Sequence, residues 1–253
     1  SLSHPKTDQE TTMATARSKR SPYILNCLPS PKPEKNWTLE TAVAAGVAAA
    51  PNAKGTAAAA AAGIDLRAPW WTVGDQGNTG SCVGWGTADA VLRWHFVKAG
   101  RLGKSERLSM RYIWMASKET DPYTTRPTSF IESDGTWLSA ALDVARKFGV
   151  VTDKVLPFKL GGQSQMYTDN ANTFYALAAQ RRIASYFNLG RDLAKWRSWL
   201  AGNGPILTRL DVDQAFMSGG SKGMLDTYTP CAGLGGHCVA LVGYVNGRFI
   251  VRN

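Results

Sequence analysis

An abrupt change of composition near residue 64 most constrains how this chain can fold. Residues 42–62 are mostly alanine and glycine and offer no large side chain to bury. Before them, the prolines between Pro22 and Pro33 disfavour helix and favour extended backbone. From Ile64 onward, large apolar and aromatic residues are mixed with polar ones. We therefore predict that the folded body begins at Ile64 and that residues 1–64 form an N-terminal segment and an Ala-rich linker.

The composition of the whole chain excludes several classes of protein. With 253 residues, 44% hydrophobic and 19% charged, the chain can bury a core and is neither fully disordered nor collagenous. The net charge of +10 is spread along the chain, so we expect no more than weak binding of polyanions or phosphates. No nucleic-acid-binding motif accompanies it. No apolar run approaches the roughly 20 residues of a membrane span, and residues 1–10 lack the layout of a secretory signal.

Helical patterns come first in the body and strand patterns follow. The spacing of apolar residues predicts helices over 82–99, 108–118 and 137–148, with further helical material over 179–200. Enrichment in Val, Ile and Leu predicts strands over 205–212, 237–244 and 248–253. This order predicts an α+β body with two lobes rather than alternating βαβ units.

A glycine-rich turn leads directly into the first of these helices. Residues Asp75 to Cys82 read Asp-Gln-Gly-Asn-Thr-Gly-Ser-Cys. The unpaired N–H groups and the positive dipole end at a helix N-terminus stabilise a thiolate. The backbone N–H beside the thiol and the Gln76 amide could both donate to a developing oxyanion. The alternative is that Cys82 is a small buried core residue, which is the commonest fate of a free cysteine.

His237 is the histidine that could serve such a thiol. His95 lies thirteen residues after Cys82 in the same predicted helix, about 20 Å along the axis, which is too far. His237 follows a glycine-rich stretch and opens an apolar strand. A metal site with Cys231 and Cys238 fails because adjacent strand residues point to opposite faces and no fourth ligand is evident.

Together these residues resemble the papain-type cysteine peptidases. As in that family, Gln76 stands six residues before Cys82, and His237 stands sixteen residues before Asn253. The resemblance covers roughly residues 65–253 and is greatest to bacterial members. It implies that Cys82 is the nucleophile, that His237 exchanges protons with it, that Asn253 orients the imidazole and that Gln76 stabilises the oxyanion.

The resemblance also implies an architecture and an activity. It implies a helical lobe over 65–165, a β-rich lobe over 166–253 and an active-site cleft between them. The expected activity is that of an endopeptidase acting on peptide or protein substrates, with no metal or organic cofactor, in a secreted or cell-envelope location. Three alternatives stay open: a catalytically silent papain-fold binding protein, a related Cys–His acyl transferase, and an exopeptidase.

Three further positions resemble the family's substrate-binding residues. Gly135 and Thr136 resemble the backbone stretch that pairs with substrate at the second subsite. Cys238 stands where a small residue lines the pocket of that subsite; the alternative is a buried core thiol.

The N-terminal segment has two interpretations. Family members are usually made as zymogens whose propeptide crosses the cleft in reverse orientation. Tyr23, Ile24 and Leu25 belong to the only strongly apolar cluster before residue 64, and neighbouring prolines keep it extended. We therefore expect this segment to cover the cleft as an intramolecular inhibitor; the alternative is a disordered tail.

The predicted hairpin that carries Asn253 provides a geometric test. Its turn signal is Asn246-Gly247. A two-residue turn would pair Asn253 with Ala240, on the face opposite the histidine, whereas a three-residue turn would pair it with Val239, on the same face. We predict the three-residue turn, with Gly247 in the left-handed region; a bulge is the alternative.

The chain also departs from the family pattern. Val83 follows Cys82 where the family usually has tryptophan, and Thr79 replaces a cysteine that forms a disulfide. Cys231 matches a cysteine whose partner lies after the asparagine, where the family continues with Ser-Trp-Gly. We therefore expect further residues beyond Asn253.

Overall fold

A computed structural model describes residues 23–48, 63–122, 134–159, 171–219, 223–229 and 234–253 of the chain. Cys231 and its expected pairing lie outside the described residues.

The first half of the body is helical. A continuous helix, α2, comprises Cys82–Gly84, a π-helical stretch Trp85–Leu92, and Arg93–Lys98. Helix α3 (Met110–Glu119) begins at Ser109, whose side chain accepts a hydrogen bond from the Tyr112 N–H. Helix α4 (Leu138–Lys147) ends before Gly149, whose φ of +97° suits glycine. These helices pack around fully buried side chains of α3, including Tyr112, Ile113 and Trp114.

The second half builds an antiparallel sheet around one long strand. Strand β3 (Gly236–Val245) pairs with β1 (Ile64–Asp65), β2 (Ile206–Asp211) and β4 (Arg248–Arg252). Eight consecutive residues of β3 are buried, so apolar side chains pack on both faces of the central strand. Because β1 joins this sheet, Ile64 and Asp65 at the start of the body belong to the β-rich part of the fold.

Shorter helices complete the fold. Helix α5 (Ala171–Ala178), followed by a 3-10 turn at Ala179–Arg181, packs on the helical part through Phe174 and Ala178. Helix α6 (Leu193–Gly202) packs on the sheet through Leu200, and α7 (Gln214–Ser218) follows β2. The predicted helical region 179–200 is therefore only partly right: backbone between 182 and 192 is not helical, and α6 begins only where Asp192 caps it by accepting from the N–H groups of Ala194 and Lys195.

The N-terminal segment contains more order than a linker would. After a 3-10 turn at Pro33–Lys35, helix α1 (Leu39–Ala44) begins at Thr38, whose side chain accepts a hydrogen bond from the Thr41 N–H. Ala42 is fully buried, and the Trp37 carbonyl accepts a hydrogen bond 2.8 Å long from the Asn188 N–H. Part of the Ala-rich region is thus folded against the body, because a small side chain fits there without needing a core of its own.

The hairpin differs from the prediction in its turn. Val245 pairs with Arg248, so the turn has two residues, and both Asn246 and Gly247 have positive φ, at 50° and 78°. This is the backbone of a type I′ turn, whose twist matches that of the flanking strands. The predicted three-residue turn is therefore wrong, although Gly247 is in the left-handed region.

A bulge supplies the change of face instead. The register shifts between Leu241 and Gly243, after which Ala240 pairs with Arg252. The bulged strand thereby places Asn253 one position further on, opposite Val239 and on the face of His237.

Among the described residues, no helix has both the length and the apolar character needed to cross a membrane.

Candidate active site

Cys82 lies at the start of α2, where the turn before it is fixed by local hydrogen bonds. The Asp75 carboxylate accepts from the Gly77 N–H (2.7 Å), and the Thr79 hydroxyl donates to the Gln76 carbonyl (2.9 Å). Gly77 has φ of +58°, which glycine adopts readily. The thiol is fully buried at the helix N-terminus, beside backbone N–H groups that have no partner within the helix.

His237 is the second residue of β3 and is oriented by Asn253. Its Nε2 lies 2.6 Å from Asn253 Oδ1. Since a carboxamide oxygen only accepts, Nε2 carries the hydrogen of this bond. Nδ1 is buried and makes no hydrogen bond to any residue that the structure describes, which leaves it free to exchange a proton with a neighbouring group.

That neighbour is Cys82, and the two groups influence each other's titration. Burial works to lower the pKa of His237, but its interaction with Cys82 and its hydrogen bond with Asn253 outweigh burial and raise it. For Cys82 the balance is opposite: the neighbouring Cys27 thiol and burial raise its pKa, while His237 lowers it. The largest influence that raises the pKa of this thiol thus comes from Cys27, a residue of the N-terminal segment.

Phe216 was not anticipated by the sequence analysis. It lies in α7, and its ring packs edge-on to the imidazole of His237 with the centroids 5.8 Å apart. The helix is held by Asp213, whose carboxylate accepts from the N–H groups of Phe216 (2.8 Å) and Thr229 (2.7 Å). These backbone hydrogen bonds lower the pKa of Asp213. The N-cap aspartate three residues before Phe216 was the available sequence signal.

Gln76 faces the same cavity as His237 and Asn253. One hydrogen of its amide is donated to the Thr79 carbonyl at 3.0 Å, which orients the side chain. The second amide hydrogen is available for another acceptor. The cavity has a volume of about 560 Å³, and its lining includes Tyr23, Leu25, Gln76, Trp85, Phe216, His237, Cys238 and Asn253.

The N-terminal segment is bound to both walls of this cleft. The Cys27 N–H donates to the Gly236 carbonyl (2.9 Å), and the Leu28 N–H donates to the Thr136 carbonyl (2.9 Å). Gly135 is approached so closely that a Cβ there would overlap the Asn26 carbonyl oxygen. Of the two residues predicted to pair with substrate, Thr136 accepts here a hydrogen bond from the chain's own N-terminal segment, and Gly135 lies directly against that segment.

Tyr23, Ile24 and Leu25 differ in how they meet the body. Tyr23 and Leu25 line the cavity, although the Tyr23 side chain is 61% exposed, and Ile24 is half-buried. The Leu25 carbonyl lies against Gly235, where a Cβ would clash with it. The backbone, more than these side chains, therefore fixes the segment in the cleft.

Cys238 is buried between the strand and the helix. It is 3% exposed, lines the cavity, and its Sγ lies where a Cβ on Gly86 would be. This placement joins the two interpretations of Cys238, since the thiol packs in the core and also borders the cavity. His95 is not brought to this site and lines a second cavity of about 550 Å³.

Behind the site, one buried carboxylate holds three arginines. Asp89 of α2 contacts Arg93 (3.1 Å), Arg107 (3.2 Å) and Arg252 (2.6 Å). Arg252 also donates to the carbonyls of Trp71 (2.7 Å) and Thr72 (2.8 Å).

This cluster ties the two halves of the site together. Asp89 belongs to the helix that begins at Cys82, and Arg252 directly precedes Asn253. Arg107 and Arg252 are far from Asp89 in sequence, so no local pattern predicted their contacts with it.

The chain was compared with known proteins. The family model described as "Papain family cysteine protease" matches residues 60–253. No protein among the curated sequences matches the chain.

Solved structures have the same fold at low sequence identity. Xylellain, a cysteine protease from Xylella fastidiosa, is 19% identical with a TM-score of 0.69, over 94% of this chain and 87% of that one. Digestive procathepsin L 3 of the Tenebrio molitor larval midgut is 22% identical with a TM-score of 0.57, over 77% of this chain and 60% of that one. ProCathepsin B S9 from Trypanosoma congolense is 14% identical with a TM-score of 0.57, over 89% and 73%. The expected papain-like α+β fold and the similarity to a bacterial member are confirmed.

Proposed function

The chain belongs to the papain family of cysteine proteases, and we propose that it is an endopeptidase whose site consists of Cys82, His237, Asn253 and Gln76, held inactive by its own N-terminal segment. The observation that carries the proposal is the 2.6 Å contact between His237 Nε2 and Asn253 Oδ1, which leaves Nδ1 as the ring nitrogen that can exchange a proton with the neighbouring Cys82 thiol at the start of α2.

The geometry supports a definite sequence of steps. Once the cleft is open, His237 takes the proton of Cys82 at Nδ1, and the thiolate attacks the carbonyl carbon of the scissile bond. The Cys82 N–H and the free amide hydrogen of Gln76 donate to the oxyanion. His237 then protonates the leaving amine, and a water molecule, deprotonated by the imidazole, hydrolyses the acyl-enzyme.

The segment's position supports inhibition. Its backbone uses the Thr136 and Gly236 carbonyls, and Cys27 is only 2% exposed beside the nucleophile. A substrate could not occupy the same space. The pro-forms among the similar structures agree with a zymogen.

Activity and inhibition are tested together with full-length variants. Cys27→Arg places a long charged side chain in a buried position and should expel the segment. Glu34→Arg, on an exposed position of the same segment, is the matched control. We expect Cys27→Arg to cleave internally quenched peptides with blocked termini and to label with an epoxysuccinyl inhibitor at Cys82, while wild type and Glu34→Arg react at least about tenfold more slowly.

Further variants separate the alternatives. Adding Cys82→Ala to Cys27→Arg should abolish cleavage and labelling. Cleavage confined to unblocked termini would indicate an exopeptidase. Absence of both cleavage and labelling in a folded Cys27→Arg protein would contradict the proposal and leave a papain-fold binding protein.

A further inference from the structure

Three buried cysteines from distant parts of the chain meet at the cleft. Cys27 comes from the N-terminal segment, Cys82 from α2 and Cys238 from β3, and they are 2%, 0% and 3% exposed. All three belong to one apolar cluster and are free thiols. Neither Cys27 nor Cys238 takes part in the reaction steps described above.

Cys27 is held in place on both sides of its own peptide unit. Its N–H donates to Gly236, and its carbonyl accepts from Arg209 Nε at 2.8 Å. The next residue, Leu28, is bonded to Thr136 across the cleft. These bonds fix the backbone of Cys27 in the cleft, and its buried thiol interacts with both Cys82 and Cys238.

The two possible partners of Cys27 differ in chemistry. Cys82 lies at a helix N-terminus and interacts with His237, which lowers its pKa. Once the segment lifts and Cys27 no longer raises that pKa, the thiol can pass its proton to the imidazole and become a thiolate. Cys238 follows the histidine on a strand and is enclosed by the helix at Gly86, where burial raises its pKa. The attacking thiol in an exchange reaction is therefore Cys82.

We infer that Cys27 and Cys82 form a reversible disulfide that locks the N-terminal segment into the cleft until a thiol reductant opens it. This deepens the proposed function, because it assigns a redox condition to release of the same segment from the same nucleophile.

The exchange balances with a small-molecule disulfide as the oxidant. When the segment lifts, the Cys82 thiolate attacks one sulfur of that disulfide, forming a mixed disulfide and releasing one small thiol. The Cys27 thiolate then attacks the Cys82 sulfur and releases the second thiol. Two protein thiols are oxidised and one small disulfide is reduced to two thiols. A small thiol in excess reverses both steps.

The test uses the full-length chain and two serine variants. Wild type, Cys27→Ser and Cys238→Ser are equilibrated in glutathione buffers from fully reduced to fully oxidised, then acid-quenched and alkylated. Non-reducing peptide mapping of these samples identifies the linked cysteines. A second portion of each sample, neither quenched nor alkylated, is diluted and treated with an epoxysuccinyl inhibitor, whose attachment to Cys82 reports access to the nucleophile.

We expect one linkage, between Cys27 and Cys82, in oxidised wild type and in Cys238→Ser. Labelling should then fall at least about tenfold and return with dithiothreitol, whereas oxidised Cys27→Ser should carry a glutathione mixed disulfide on Cys82 and no link between protein cysteines, because the thiol that resolves the mixed disulfide is missing. A link of Cys27 to Cys238 or to Cys231 in oxidised wild type, or free thiols throughout, would overturn the inference.

The peptide map does not depend on activity. If Cys27 and Cys82 are linked but no variant cleaves peptides, the disulfide stands and the proposed peptidase function fails. If Cys27→Arg is an active peptidase but oxidised wild type contains no such link, the function stands and the disulfide fails.

Discussion

The front and the back of the site are held by different kinds of interaction. At the front, the N-terminal segment is bound by backbone hydrogen bonds to Gly236 and Thr136. At the back, Asp89 and Arg252 form a buried ion pair, with side chains 2% and 8% exposed, between the helix of Cys82 and the strand of Asn253.

This difference suits an N-terminal segment that can leave while the ion pair behind the site stays in place. A backbone hydrogen bond contributes only about 0.5–1.5 kcal/mol net, because water replaces it when the segment leaves. Removing one partner of a buried ion pair costs about 3–5 kcal/mol, because the other charge is left without compensation. The front can therefore open while the geometry behind it persists.

Removing the buried carboxylate of Asp89 should give the largest effect on stability. Asp89→Ala leaves Arg93 and Arg252 buried without their carboxylate, so we expect the free energy of unfolding to fall by about 3–5 kcal/mol. Urea unfolding followed by circular dichroism measures it. The control is Asp65→Ala, whose partner Arg67 is exposed, with an expected change below about 1 kcal/mol. An equal decrease in the free energy of unfolding in both variants would mean that the buried ion pair contributes no more than an exposed one.

Removing the interactions of Arg252, the residue next to Asn253, should lower kcat. Arg252→Met removes the bonds to Asp89, Trp71 and Thr72, so in the Cys27→Arg background we expect kcat to fall roughly 10–100-fold with little change in KM.

Steady-state cleavage of a quenched peptide measures the effect of Arg252→Met. Arg248→Met is the matched control on the same strand, because Arg248 is exposed and pairs with Asp226. A fall in kcat of the same size in the control would show that Arg252 does not position Asn253.

Displacing the N-terminal segment should expose Cys27 without lowering the stability of the rest of the fold. Gly135→Ala puts a Cβ into the Asn26 carbonyl oxygen, so we expect the segment to leave and Cys27 to react with iodoacetamide at least about tenfold faster. Gly103→Ala is the control, because a Cβ there meets only the end of the Glu106 side chain. The urea midpoint of both variants should stay close to that of wild type. Unchanged Cys27 reactivity in Gly135→Ala would contradict the close packing of the N-terminal segment against Gly135.

The smallest expected effect is on the titration of the nucleophile. Cys27 raises the pKa of Cys82 in the closed arrangement, so Cys27→Ala should let the Cys82 thiolate form at lower pH than in wild type. Thiolate absorbance near 240 nm, taken as the difference from the matching Cys82→Ala protein, measures this. A shift to higher pH would mean that Cys27 does not raise the pKa of Cys82.

Local patterns identified most elements of the fold. The helices that begin near Cys82, Met110 and Leu138 and the strands β2, β3 and β4 lie within a few residues of their predicted positions. These elements follow from apolar periodicity and from glycines where they end. Helix α1 was missed because its alanines show no apolar face, and only contact with the body selects the helix there.

The sequence by itself determined which residues we propose for the chemistry. A thiol after a glycine-rich turn, a histidine opening an apolar strand and an asparagine closing the next one are local features. The tertiary structure decided how they meet. The bulge between Leu241 and Gly243 puts Asn253 on the face of His237.

The tertiary structure alone also decided the partners of Cys27 and of Asp89. The Asp89–Arg252 contact joins residues 163 positions apart, and the Arg209–Cys27 bond joins residues 182 apart. Periodicity and turn chemistry act over a few residues, whereas these contacts depend on how separately formed elements pack. That packing is what sets a removable segment in front of the nucleophile and a buried ion pair behind it.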